Sequence, residues 1–336
     1  MKKLISILCS GLILASVLSG CGTAAATTTA AAATTAKGAD ATVAATTAAG
    51  TTTKRIGISL VYKGDEWCAA VDEQFKTQAE ALGYEVNIQD GNLDNETQVK
   101  QVENFITQKY DMIAVDPASA DGIIPALQKA RDAGIPVIIF DSPTSFEDIV
   151  SYISWDSYQT GQVIGKHMAE LITKDYGGKA NVAVLTMASP VAIGERVQGV
   201  KDALKDLDIT YVAEQEYEGN REKAANVITN IKEPIDFVVA GQDNGAWGAV
   251  SALQAANNTT TKVFSMGAYG EESFGALQAD TSNYKGTVAI SPSTLVEATY
   301  KTITDYFAGV KDIPARTNIA LDLVTHDNID DYLSTH

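Results

Sequence analysis

Ile135-Pro136-Val137-Ile138-Ile139-Phe140-Asp141-Ser142-Pro143 is the stretch whose reading decides the fold. From Val137 to Phe140 the side chains are apolar without alternation. A strand packed on both faces reads this way, because it has no solvent side to fill with polar residues. The run then stops at a carboxylate, a hydroxyl and a proline. In an open parallel sheet ligands sit at the carboxyl ends of the strands, so Asp141 is expected at the mouth of a cleft. The plainer reading, in which Asp141 only caps the next turn through its own backbone, ranks behind it. The same pattern recurs upstream, where Met112–Val115 ends in Asp116-Pro117.

Outward from this run, strands and helices alternate. Residues 56–62 read as a strand, 66–82 as a helix closed by Gly83, 84–88 as a strand and 96–108 as a helix. The strand at 112–115 and a helix at 122–133, stopping at Gly134, lead into the quoted run. Residues 148–156, with Trp155 near their end, read as a crossing segment. A second alternating series follows, with strands expected at 182–186, 210–214, 236–240, 262–266 and 286–290 and a last one near 318–324. Such βαβ repetition predicts an α/β fold of two doubly wound parallel-sheet lobes in tandem, with a cleft that faces strand ends from both sides.

The chain has 336 residues, enough for about two domains, and a formal charge of −17 with a pI near 4.5. That charge excludes nucleic acid, whose phosphates need a basic surface, and electrostatic docking on anionic lipid. The N-terminus offers another attachment. Met1-Lys2-Lys3 is basic, the apolar run from Leu4 to Leu18 is too short to span a bilayer, and Leu18-Ser19-Gly20-Cys21 follows. The last four residues resemble the bacterial lipobox, in which cleavage before the cysteine frees it for acylation. The resemblance implies a leader at 1–20, an anchor at Cys21 and a location on the extracytoplasmic face of a cell membrane, held by lipid alone. Removal of Lys2 and Lys3 would take the charge from −17 to −19. Cys9 leaves with the leader and Cys21 carries lipid, so Cys68 stands alone and no disulfide framework is expected. Residues 22–53 are almost all Thr, Ala and Gly and cannot bury a core, the composition of a flexible tether.

Chemistry-bearing motifs are sparse. Gly161-x-x-x-Gly165-Lys166-His167 imitates a phosphate loop, but it is one residue short, lacks the final Ser or Thr and lies in a helical pattern. No Cys/His cluster suggests a metal, no Ser-His-Asp set is visible, and no cofactor motif follows any strand. Asp65-Glu66 is an acid pair, but adjacent residues on one turn do not flank a glycosidic bond. A binding protein is therefore expected rather than an enzyme.

Taken in order, Tyr62-Lys63-Gly64-Asp65-Glu66-Trp67, Leu82-Gly83-Tyr84, Ile135-Pro136-Val137 leading to Asp141, Gly194-Glu195-Arg196 with Gly199, and Gln242-Asp243 before Gly248-Ala249 resemble a known family. The family is the periplasmic sugar-binding proteins of ABC transporters, of the ribose and galactose type. The resemblance implies a type I periplasmic binding fold, two lobes joined by three crossings near residues 154–155, 290–291 and 314–317. The first lobe is then 54–154 with 291–315, and the second 155–290 with 316–336. It also implies a small sugar or polyol ligand, an ABC permease as partner, a monomer and no cofactor. Carried over position by position, it assigns ligand contacts to Asp65, Trp67, Asp141, Arg196 and Gln242. Charged and amide groups give directional bonds to hydroxyls, and an aromatic face covers the C–H side of a sugar. Against this, Trp67 has a core-packing alternative, Arg196 an ion pair with Glu195 or Asp202, and Gln242-Asp243 a helix cap.

Four positions depart from the family pattern. Gly267 stands where an aspartate is usual, Gly219 where an aromatic is expected, Ser142 in place of an arginine, and Ile290-Ser291 in place of an amide. Ser142 itself, with Lys63, Trp155 and Tyr269, is a candidate ligand contact to make up for those missing. These departures leave a furanose-like signal of the autoinducer-2 class, or a polyol, as an alternative ligand, with a sensory kinase as alternative partner. The same fold serves in lactose-repressor-type transcription factors, but those carry a DNA-binding headpiece where this chain has its leader and tether.

Overall fold

The structure, a computed structural model, describes residues 53–64, 66–188 and 191–336. The leader, Cys21, the tether and Asp65 lie outside the described residues.

The first lobe opens with β1 (Arg55–Leu60), α1 (Glu66–Leu82), β2 (Glu85–Asp90), α2 (Asn95–Thr107), β3 (Met112–Val115), α3 (Ile124–Asp132), β4 (Val137–Phe140) and β5 (Ser151–Ser154). The second contains α4 (Ser157–Tyr176), β6 (Lys179–Thr186), α5 (Val191–Leu204), β7 (Asp208–Glu216), α6 (Arg221–Asn230), β8 (Phe237–Ala240), α7 (Asp243–Ala255), β9 (Lys262–Ala268), α8 (Glu271–Ala279) and β10 (Tyr284–Ala289). The chain returns to the first lobe for α9 (Pro292–Phe307) and β11 (Arg316–Asn318), then ends in the second with β12 (Asp322–Thr325) and α10 (Ile329–Thr335).

Each lobe is built on one six-stranded sheet, ordered β11-β5-β4-β3-β1-β2 in the first and β12-β10-β9-β8-β6-β7 in the second. Every pairing is parallel except that of β12 with β10. The uninterrupted apolar strands β3, β4 and β8 are buried at every position, as strands covered on both faces must be. Each sheet accordingly has two apolar cores, one per face. Helices start and stop where side chains satisfy their end groups. Asp94 and Asp156 accept from backbone N–H groups of α2 and α4, and Gly83, Gly134 and Gly177 take the left-handed backbone after α1, α3 and α4.

The predicted α/β class and the two doubly wound lobes are found. The chain changes sheet three times, after Ser154, after Ala289 and after Asn318. The third change comes later than expected. The single strand read near 318–324 is two short ones, and β11 pairs with β5 of the first sheet, so residues 316–318 side with the first lobe rather than the second. Residues 151–154, read as part of a crossing segment, form β5, and the crossing itself follows them. No helix among the described residues is long and apolar enough to cross a membrane.

Candidate functional site

The carboxyl ends of β3 and β4 form one wall of the interlobe cleft. Asp141 follows β4 with φ at 56°, a left-handed backbone that costs energy in any residue with a Cβ. Neighbouring β5 holds it there. The Asp141 N–H donates to the Ile153 carbonyl at 2.9 Å, and the Asp141 carbonyl accepts from Tyr152 Oη at 2.7 Å and Ser154 Oγ at 2.8 Å. With its backbone held in this way, its carboxyl faces the other lobe. Burial raises that carboxyl to about 6, and the positive field of Arg196 opposes the rise.

A second carboxyl stands beside it. Asp116, at the end of β3, is buried, and its Oδ1 accepts from the Ser142 N–H at 3.2 Å. Burial, then the like charge of Asp141, holds Asp116 well above the ordinary carboxylate range, against hydrogen bonds from Ser142 and the Val61 amide. Asp116 was not singled out as a site residue from sequence, although its strand ends in the same way as β4. Ser142 contributes its backbone N–H to this pair.

The facing wall is set by α5 and the ends of β8 and β9. Arg196 directs Nη1 at the carbonyls of Gly241, at 3.1 Å, and Met266, at 3.0 Å. A Cβ on Gly267 would come within 2.8 Å of that nitrogen, so the glycine at the family's aspartate position makes room for the guanidinium. Burial pulls the Arg196 pKa down, and the charge of Asp141 across the cleft opposes it first among its neighbours. The expected alternative partners of Arg196 are otherwise occupied or absent. Asp202 takes hydrogen bonds from Tyr158 Oη and Gln198, and the Arg196 bonds go to the Gly241 and Met266 carbonyls rather than to Glu195.

Gln242 is the N-cap residue of α7, extended and half-buried, with no capping bond from its side chain. Asp243 turns inward instead, accepting from Ser265 Oγ, Ser273 Oγ and Tyr284 Oη. Burial raises its pKa against these three bonds. Asp243 thus anchors α7 within its lobe, while the Gln242 side chain makes no capping bond.

At the crossings, the Trp67 indole N–H donates to the Ile290 carbonyl at 3.0 Å, and its ring lies 6.3 Å from that of Trp155. Trp155 is 6% exposed and belongs to the first-lobe core, a different position from the cleft surface expected for it. Lys63 bonds Asp72 at 2.8 Å and the Ile88 carbonyl at 3.1 Å, so two of its three donors are spent inside its own lobe. Tyr269 packs edge-on against Phe274. The lobes also meet at their rim, where the Glu66 carboxylate lies 2.6 Å from the point a Cβ on Gly270 would occupy. Among the described residues no group of His, Cys, Asp and Glu is arranged to hold a metal ion.

Comparison with known proteins gives concordant results. A family model described as a periplasmic binding protein domain matches residues 56–311. The chain is 31% identical over 214 residues to the galactofuranose-binding protein YtfQ of Escherichia coli, covering 60% of this chain and 66%, just under two thirds, of that one. It is 29% identical over 290 residues to a xylitol-binding protein of Mycolicibacterium smegmatis, covering 83% of this chain and 79% of the relative. Among solved structures, an ABC transporter periplasmic solute binding protein from Actinobacillus succinogenes with bound D-allose superposes with a TM-score of 0.73 at 26% identity, over 83% of this chain and all of that one. Two tandem parallel-sheet lobes, three crossings and a match across residues 56–311 lead to one conclusion: the chain belongs to the periplasmic binding protein family, in its type I form.

Proposed function

We propose that this protein is an extracytoplasmic solute-binding lipoprotein that captures a small neutral sugar or polyol between its lobes and delivers it to an ABC importer. The observation that carries this reading is the placement of Asp141 and Arg196. They come from different lobes, each at the carboxyl end of its sheet, and each feels the other's charge against the shift that its burial imposes. A polyhydroxylated ligand lying between them can donate to one and accept from the other. Gln242 supplies an amide from the second lobe, and Trp67, with Asp65 beside it in sequence, an aromatic face from the first. Asp116 and the Ser142 N–H complete the first-lobe polar surface. Relatives that bind galactofuranose, xylitol and D-allose by name support the ligand class. The protein acts by binding, as a monomer, with no chemical step, and the lipid on Cys21 holds it at the membrane. No observation favours the sensory-receptor alternative.

The test is calorimetry of the purified protein against D-ribose, D-xylose, D-allose, D-galactose and xylitol, with amino acids and nucleosides as controls. At least one sugar or polyol is expected to bind. Asp141→Ala and Arg196→Ala should each weaken that binding by about 2–4 kcal/mol, because each strands a hydroxyl in a closed cleft. Stabilisation by nucleosides or amino acids alone would overturn the reading.

A further inference from the structure

Two polar atoms on the second-lobe wall are buried without a hydrogen-bond partner, Nε of Arg196 and Oη of Tyr217. Tyr217 follows β7 and is 0% exposed. Its N–H donates to the Thr186 carbonyl at the end of β6, and its carbonyl accepts from Asn220, so the backbone is fixed at the cleft end of the sheet. The ring lies under the first turn of α7, where a Cβ on Gly245 would stand 2.9 Å from Tyr217 Cζ. The phenol oxygen sits beside the amides of Gln242 and Gly245 without closing a well-formed bond to either. Neither amide closes a bond on it, so the phenolic O–H keeps its donor unspent within its own lobe. Arg196 is in the same position, since Nη1 is spent on the Gly241 and Met266 carbonyls and the Nε–H has no acceptor. Each group feels the other's charge or dipole.

Two donors buried side by side, one of them cationic, are costly unless something accepts from them. One oxygen with two lone pairs can accept from both. Across the cleft stands the Asp141 carboxyl, within the field of Arg196, whose oxygens can accept a hydrogen. A hydroxyl meets both demands. A carboxylate would meet only the first, since it has no hydrogen to give Asp141. Resting on the sugar reading above, we propose that Tyr217 is a specificity-determining ligand contact, its phenol and the Arg196 Nε–H together holding one hydroxyl oxygen of a neutral sugar or polyol.

The test is Tyr217→Phe, which removes one oxygen and keeps the ring. The variant is expected to melt at the wild-type temperature without ligand, because the lost hydroxyl has no partner there. It is expected to bind the best sugar or polyol of the calorimetric panel roughly ten-fold more weakly. Single-deoxy analogues of that ligand, such as 2-deoxy-D-ribose beside D-ribose, then locate the contact. One position should cost the wild type affinity and cost Tyr217→Phe nothing further. Unchanged affinity in Tyr217→Phe, with or without a fall in melting temperature, overturns the proposal and leaves the sugar reading standing. That result would assign the phenol to a structural water. A wild type that binds no member of the panel defeats the sugar reading and this inference together.

Discussion

Asp141 combines a backbone that resists its conformation with a carboxyl that resists its charge, and both costs have measurable consequences. Burial raises its pKa to about 6, and Asp116 and Asp243 are shifted in the same direction by the same cause. A carboxyl whose folded pKa lies above its unfolded value binds more protons in the folded state. Its contribution to stability is therefore fully present below about pH 4 and is lost as pH rises through about 6. Asp141→Asn, which stays neutral, should show no such loss. In thermal melts of ligand-free protein from pH 4 to 7, the variant's advantage over wild type is expected to grow to about 1–3 kcal/mol. A difference that stays flat with pH would show a well-solvated carboxylate. At this scale the sequence is readable where an apolar run breaks at a polar group. That signal points to Asp141, and the same break stands at Asp116-Pro117, which the family resemblance does not assign to the site. Lys63 and Trp155 were not readable, because Asp72 and the first-lobe core that engage them are brought near only by the fold. Tyr217 gave no signal either, since it follows an edge strand whose exposure is irregular.

The elements that position Arg196 rely on glycines that the sequence shows but does not explain. Gly161 and Gly165 lie on α4, where their spacing imitates a phosphate loop, and Gly199 lies on α5. A Cβ on Gly161 would stand 1.9 Å from the Arg196 carbonyl oxygen, and one on Gly199 would stand 2.2 Å from that of Tyr158. The motif therefore serves close backbone-to-backbone packing of α4 on α5, and the turn it fixes is the one that bears Arg196. Gly161→Ala must push the helices apart, because the obstruction is backbone and cannot swing away. We expect it to destabilise the protein by about 1–3 kcal/mol in chemical denaturation, with ligand affinity falling as Arg196 is displaced. Gly194→Ala, on α5 with no atom within 4 Å of the new methyl, serves as the control. It should be neutral or stabilising by up to about 1 kcal/mol from helix propensity alone. Equal losses in both variants would exclude the packing explanation. Periodicity gave nearly every strand and helix, because buried parallel strands and amphipathic helices leave distinct patterns. It failed at residues 316–325, where two strands too short to show a period belong to different sheets.

At the scale of the whole molecule, attachment and closure are separate questions. Under the proposed lipid attachment at Cys21, Cys21→Ala should release the protein from membranes or leave it unprocessed. Fractionation together with the mass of the mature chain checks this. Closure rests on the three crossings after Ser154, Ala289 and Asn318. Here the lobes approach at the Glu66 carboxylate and Gly270, through the fields of Asp141 and Arg196, and at the Trp67 bond to the Ile290 carbonyl at the crossing itself. Burial opposes the charged forms of Asp141 and Arg196 in this arrangement, so without ligand we expect it to gain little over an open one. A ligand bonded to both walls interacts only with the closed form, and that differential affinity is what shifts the population. Small-angle scattering should therefore show a smaller radius of gyration when the best sugar or polyol is added to saturation. Arg196→Ala should weaken the response even at ligand concentrations that saturate the variant, because one of the two walls has lost its grip. An unchanged radius at saturation in the wild type would mean that binding and closure are not linked, and that the ligand enters a cleft already shut.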